Sequence, residues 1–345
     1  MSTRSVQRAP APSGRLGIVC LTAALAACAS PPPAASLDPP GGPGNWGSAP
    51  SLPTARFEGY AATVNGRIYY LGGIAEACVD LASACESDRV DVFDPSTGLW
   101  TAAPPLPTAA PRHHLAVAVL ADRIYVLGGF RGILGGGSNF GPVATTFVFD
   151  GSVWHQLADQ PIARGAATAQ AIGGVIYVAG GGRREPDALP DVYAYDPASD
   201  QWTARSAMPT AREHLASCVV TGQMLVVGGW DSHKRTLAAA EVYDPLSDRW
   251  QSVAPLPTPR GGLGAATIDD VCYAIGGEQW VGPYPGTFAN NEGFDVTLGS
   301  WASFAPMPTR RHGLGLTALA SALYAVAGGP VSGQSATSVV EQFHP

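Results

Sequence analysis

Three side chains stand out as able to move a proton or hold a polar ligand: Glu58, His114 and His214. Each lies two residues after an arginine (Arg56, Arg112, Arg212), and the same place after Arg164, Arg260 and Arg311 is held by Ala166, Gly262 and Gly313. A residue repeated at every copy of a spacing answers a need common to all copies, whereas one that varies at a fixed place is free to meet a ligand. The arginines are therefore expected to satisfy turn carbonyls or an acidic residue of a neighbouring unit, while also rimming a polar mouth. Glu58 with His114 or His214 is the candidate general acid/base pair, because a carboxylate beside an imidazole can take a proton from one substrate atom and return it to another. A second set, Arg131, Trp230, Trp280 and Tyr284, with Phe288, offers a cation and aromatic faces in segments of irregular length. Long loops on a rigid scaffold commonly carry function, and the C–H face of a sugar ring can stack on such aromatics. The glycine run after Arg131 opens no helix, so it is not a phosphate cradle. No Cys/His spacing resembles a zinc site, and neither metal nor cofactor is expected.

What positions these residues is a repeat. Charged residues are only 14% of the chain while Gly is 42 and Pro is 31, which argues for many short strands and turns rather than long helices. The net charge of −7 carries no basic stripe, so nucleic acid is not an expected partner. Double glycines fall at Gly72-Gly73, Gly128-Gly129, Gly180-Gly181, Gly228-Gly229 and Gly276-Gly277, with Ala327-Gly328 as a degenerate sixth. Each of the six arginines lies 16 residues before the first position of its pair. Tryptophans close the units at Trp100, Trp154, Trp202, Trp250 and Trp301, and Trp46 stands before the first. The fourth unit reads as two apolar runs split by Thr221-Gly222, a hairpin signal, then EVYDP, then a strand holding Trp250. Four antiparallel strands in about 50 residues describe a propeller blade. The third-strand aromatics (Phe93, Phe149, Tyr195, Tyr243, Phe294, Phe343) and the tryptophans are expected to fill the space between blades.

Arginine near the unit start, Gly-Gly, Tyr-Asp-Pro and Trp together resemble the kelch repeat over residues 45–345. The resemblance implies an all-β, six-bladed propeller. The chain stops at EQFHP, which aligns with EVYDP, so the last blade needs its fourth strand from the segment around Trp46. Such a ring closes without a partner, and a monomer is expected. Kelch propellers imply a binding surface at the channel mouth, here for a glycan or a protein. Bacterial six-bladed kelch proteins also include sialic-acid mutarotases, so a sugar mutarotase or epimerase using Glu58 with His114 or His214 is the alternative. Copper galactose oxidase is seven-bladed with a Cys–Tyr cofactor, and no matching residues occur.

Ahead of the repeat, Arg4, Arg8 and Arg15 precede a 12-residue apolar run from Leu16 to Ala27, the pattern of a signal peptide. Leu25-Ala26-Ala27-Cys28 resembles a bacterial lipobox, which implies acylation of Cys28, membrane anchoring, and a place on the periplasmic face of the outer membrane or the cell surface. Residues 1–28 are thus read as a lipoprotein signal and 29–44 as a Pro/Gly-rich tether. In an oxidising compartment Cys78 and Cys85, in one loop, are expected to form a disulfide. Cys218 and Cys272 sit in apolar strand patterns and are expected as buried free thiols.

Overall fold

The computed structural model describes residues 41–75, 86–107, 112–132, 141–183, 187–281 and 285–345. Cys28, Cys78, Cys85 and Tyr284 lie outside these, as do residues 1–40. Among the described residues there is no helix, and six four-stranded antiparallel sheets stand in chain order as blades. Blade 4 shows the plan, running outward from Ala216–Val220 through Gln223–Val227 and Ala240–Asp244 to Arg249–Ser252. Five of the six inner hairpins turn through two residues with positive φ, as at Asn65 (φ 49°) and Gly66 (φ 72°), the twist that suits a tight antiparallel pair.

The outer strand of the sixth blade is Asn45–Ala49, which pairs antiparallel with Val340–His344 and sets Trp46 opposite Phe343. Ring closure thus follows the alignment of the two chain ends. The aromatic wedge recurs: ring centroids are 5.3 Å apart in Phe93–Trp100, 4.9 Å in Tyr195–Trp202 and 5.1 Å in Trp46–Phe343. Each indole also donates its Nε1 hydrogen to a carbonyl just past the outer strand of the preceding blade, as Trp250 does to Ser206 at 2.8 Å and Trp46 to Ala305 at 2.7 Å. The tryptophans therefore bond blade to blade as well as fill volume.

All six recurring arginines are buried, with at most 1% of their surface exposed. Each guanidinium donates to the carbonyl of the residue 16 positions on, 3.2 Å for Arg212 to Gly228 and 2.7 Å for Arg311 to Ala327. In four blades it also meets a third-strand carboxylate: Asp91, Glu241, Glu292 or Glu341. The acid comes from the arginine's own blade, not a neighbour, and the arginines do not rim the mouth. They clasp the second strand to the third, which is why they repeat.

The glycine pairs join blades. The second glycine donates to the carbonyl of the next blade's arginine, at 2.8 Å for Gly129 to Arg164 and 2.9 Å for Gly328 to Arg56 across the seam. At Gly128, with φ +64°, a Cβ would lie 2.4 Å from the Arg164 carbonyl oxygen, so only glycine fits. A further cross-link corrects the expectation of free thiols: Cys218, on the inner strand of blade 4, and Cys272, on the second strand of blade 5, form a disulfide. Residues 54 apart in sequence gave no local spacing to suggest it. Propeller packing brings the two strands face to face.

Candidate functional site

The place two residues after each arginine is where the blades meet at the axis. Glu58, His114, Ala166, His214, Gly262 and Gly313 all take left-handed backbone, φ between 53° and 63°. Each N–H donates to the carbonyl of its counterpart in the preceding blade at 2.8–2.9 Å, and Glu58 N to Gly313 O completes the circle. Six blades are thus tied by a closed ring of six backbone hydrogen bonds, and the strain of αL backbone at four non-glycine residues is held by it. Three positions carry little or no side chain. At Gly313 a Cβ would fall 2.4 Å from Glu58 Oε1, so the glycine makes room for that carboxylate.

Glu58, His114 and His214 converge. One donor atom from each lies within 4.8 Å of the others, and all three side chains are buried. His114 Nε2 is 3.3 Å from Glu58 Oε2, and the His114 and His214 rings meet edge to face at 4.7 Å. Around them stands a layer not foreseen from the sequence: His113, Glu213, Glu278 and His312. His113 Nδ1 contacts His114 Nδ1, and its Nε2 donates to the Gly132 carbonyl at 3.0 Å. His312 Nε2 lies 3.7 Å from Glu278 Oε1 and 4.0 Å from Glu58 Oε1. Glu213 Oε1 takes Lys234 Nζ at 3.2 Å. These residues follow an arginine or a glycine pair directly, and in each blade the two places face each other, as His113 does Phe130 and Glu213 does Trp230. The place after the arginine reads Phe57, His113, Gly165, Glu213, Gly261, His312. Variation at a fixed position was the signal, one residue earlier than where it was sought.

Burial sets the protonation. Loss of solvent pulls His113 down to about 4, against the pull of the Gly132 carbonyl. His114 is held well below the usual histidine range by burial and then by the charges of His113, His214, Lys234 and His312. His214 is held there by burial, then by Lys234, His312 and His113. These three rings are neutral at pH 7 and offer lone pairs.

A cavity of about 50 Å³ opens over this cluster, between Phe57, Trp230, Glu278, Trp280, His312 and Gly333. That is room for an ion and a few waters, or for the tip of a larger ligand. Toward the blades' interior the axis widens to about 330 Å³, lined by Ala, Val and Thr of the inner strands. The structure divides the remaining candidates. Trp230 is 1% exposed and packs 4.3 Å from His214, so it is a wall rather than an open face. Trp280 is 43% exposed and forms the lip, 5.8 Å from Trp230, and Lys234 Nζ sits 4.9 Å above Trp230 and 5.7 Å from the Trp280 ring centre. Phe288 is buried, and Arg131 is exposed but does not line the cavity.

Residues 133–329 match the family described as the KLHDC2/KLHL20/DRC7 Kelch-repeats domain, and residues 61–107 match the Kelch motif. The Kelch-like protein terF of Aspergillus terreus is 35% identical over 165 residues, 46% of this chain and 34% of that protein. Kelch-like protein 34 of Homo sapiens is 31% identical over 162 residues, 46% of this chain and 23% of that one. The chain spans about a third or less of the curated relatives it matches. The solved structure of YjhT superposes with a TM-score of 0.68 at 17% identity, covering 85% of this chain and 96% of that one, a likeness of fold. With the larger match spanning more than half of the sequence and six blades built on its motifs, the chain belongs to the kelch-repeat family.

Proposed function

We propose that this propeller is a binding module of the bacterial cell envelope that takes the end of a glycan at its axial mouth. The carrying observation is the pairing of a buried polar cup (Glu58, His114, His214) with an exposed aromatic lip, Trp280. The cup is too small for a whole ligand, so a hydroxyl-bearing tip enters while a ring lies on Trp280, next to the exposed Val281. Sugars supply both features. The basic leader, Cys28 and the Pro-rich tether support anchoring of the domain at the membrane surface, where glycans are met. A glycan array tests the reading: hits that weaken in Trp280→Ala support it, and a blank array with retained capture of an envelope protein replaces the glycan with a protein ligand.

One observation favours a second reading, sugar mutarotation. The 3.3 Å contact between Glu58 and His114 in an enclosed cup is the geometry an acid/base pair needs to open a hemiacetal ring. Proton NMR of anomer exchange in sialic acid decides it. Acceleration by the protein and its loss in Glu58→Gln support catalysis; exchange at the rate of buffer alone removes it.

A further inference from the structure

We propose that Glu58, His114 and His214 bind a divalent first-row transition-metal ion, such as Zn²⁺ or Fe²⁺, at the propeller axis. The proposal deepens the reading of the axial mouth as the ligand site.

The first ground is the donor set. Two imidazoles and one carboxylate, from blades 1, 2 and 4, place their donor atoms within 4.8 Å of one another. Zinc holds such ligands at about 2.0–2.2 Å in a tetrahedron, whose edge is then about 3.4 Å. The 3.3 Å between His114 Nε2 and Glu58 Oε2 is such an edge. Two nitrogens with one oxygen suit Zn²⁺ or Fe²⁺ rather than Mg²⁺ or Ca²⁺, which prefer oxygen alone.

The second ground is independent and lies in the hydrogen positions. The Gly132 carbonyl can only accept, so His113 Nε2 carries the hydrogen. His113 Nδ1 is in contact with His114 Nδ1, so the two rings share one hydrogen on that side. His114 Nε2 is then the ring nitrogen that faces the Glu58 carboxyl group, at 3.3 Å. A proton or a metal ion between them satisfies both atoms, and the third donor, His214, suits the metal ion. His214 adds a buried Nδ1, its side chain 4% exposed, that has no hydrogen-bond partner among the described residues. His312 repeats the pattern: its Nδ1 donates to the Gly329 carbonyl at 3.0 Å, turning Nε2 toward Glu58 and Glu278. Hydrogen-bonding the far side of an imidazole to a carbonyl is how proteins fix the tautomer of a metal-binding histidine.

With three protein donors, a tetrahedral ion keeps one position open toward the cavity under Trp280. An oxygen of the incoming ligand, a hydroxyl or carboxylate, would fill it. The metal would also occupy the lone pairs that proton transfer between Glu58 and His114 requires.

The test is titration of the EDTA-stripped full chain with Zn²⁺ against a chromophoric chelator, with Co²⁺ absorption reporting coordination. One ion per chain, visible Co²⁺ bands, and affinity lowered about 100-fold or more in Glu58→Gln and His214→Ala are expected. Arg131→Ala and His155→Ala should bind as the native chain does. Metal-free melting curves show that each variant is folded, and the isosteric Glu58→Gln keeps the test sound if His214→Ala is not. Absence of saturable binding, or an affinity unchanged from the native chain in both cup variants, overturns the proposal. Glycan binding that survives EDTA separates the outcomes: the mouth is then the ligand site without a metal, whereas metal binding with no ligand captured refutes the mouth reading and leaves the ion.

Discussion

At the residue scale, the histidines His113, His114 and His214 are kept neutral by burial, and pH should expose this. In the unfolded chain His113, His114 and His214 take protons near the ordinary value of about 6.5; in the fold their values lie below it. Between those values the unfolded state binds more protons, so stability falls as pH drops below about 6.5. For His113 the loss is complete once pH passes about 4 and is on the order of 3 kcal/mol for that residue alone. Urea melts of the metal-free protein from pH 7.5 to 4 should show this fall, and a His113→Gln variant should flatten part of it. A flat profile would contradict buried neutral histidines. Glu58, His114 and His214 were legible in the sequence because they break a repeated spacing. His113, Glu213 and His312 vary at a fixed place one residue earlier, but that they and Glu278 gather around the same point depends on which turn faces which across the axis. The disulfide was hidden for the same reason: Cys218 and Cys272 meet only after blade 5 packs on blade 4.

At the element scale, the blade is held by its clasp. Arg212 joins the carbonyl of Gly228 to Glu241, with side-chain exposures of 0% and 3% at the two ends of the ion pair. Burial draws Arg212 down to about 10 while Glu241 holds it up. Removing one partner strands the other in a dry site, so Arg212→Met should cost about 3–5 kcal/mol. The double variant Arg212→Met, Glu241→Leu should recover much of that. Denaturant melts check both; a single-variant loss below 1 kcal/mol would mean that the clasp is solvated. The strand plan, hairpins and aromatic wedge could all be read from periodicity, because each recurs at the same place in the repeat. The source of the arginine's acid could not, because own-blade and next-blade carboxylates share the same spacing.

At the scale of the whole molecule, closure makes the site. The strand Asn45–Ala49 supplies the outer edge of blade 6, and Trp46 both stacks on Phe343 and bonds to Ala305 of blade 5. Trp46→Ala should cost about 3 kcal/mol and shift hydrogen exchange first in Val340–His344. A shift spread evenly over all blades would deny a seam. The Cys218–Cys272 bridge ties two neighbouring blades, and its 54-residue separation predicts a contribution of about 4 kcal/mol on loop-entropy grounds. Thiol reductant should lower the melting temperature of the native chain by more than that of a Cys218→Ser, Cys272→Ser variant; an identical response in both would exclude the bridge.

The convergence of Glu58, His114 and His214 on one axial point is tested most directly by anomalous X-ray scattering from crystals grown with Co²⁺ and recorded at the cobalt edge. The account predicts a single strong peak on the propeller axis, within bonding distance of all three side chains. A map with no axial peak, or with cobalt only at surface histidines such as His155 or His233, would contradict it.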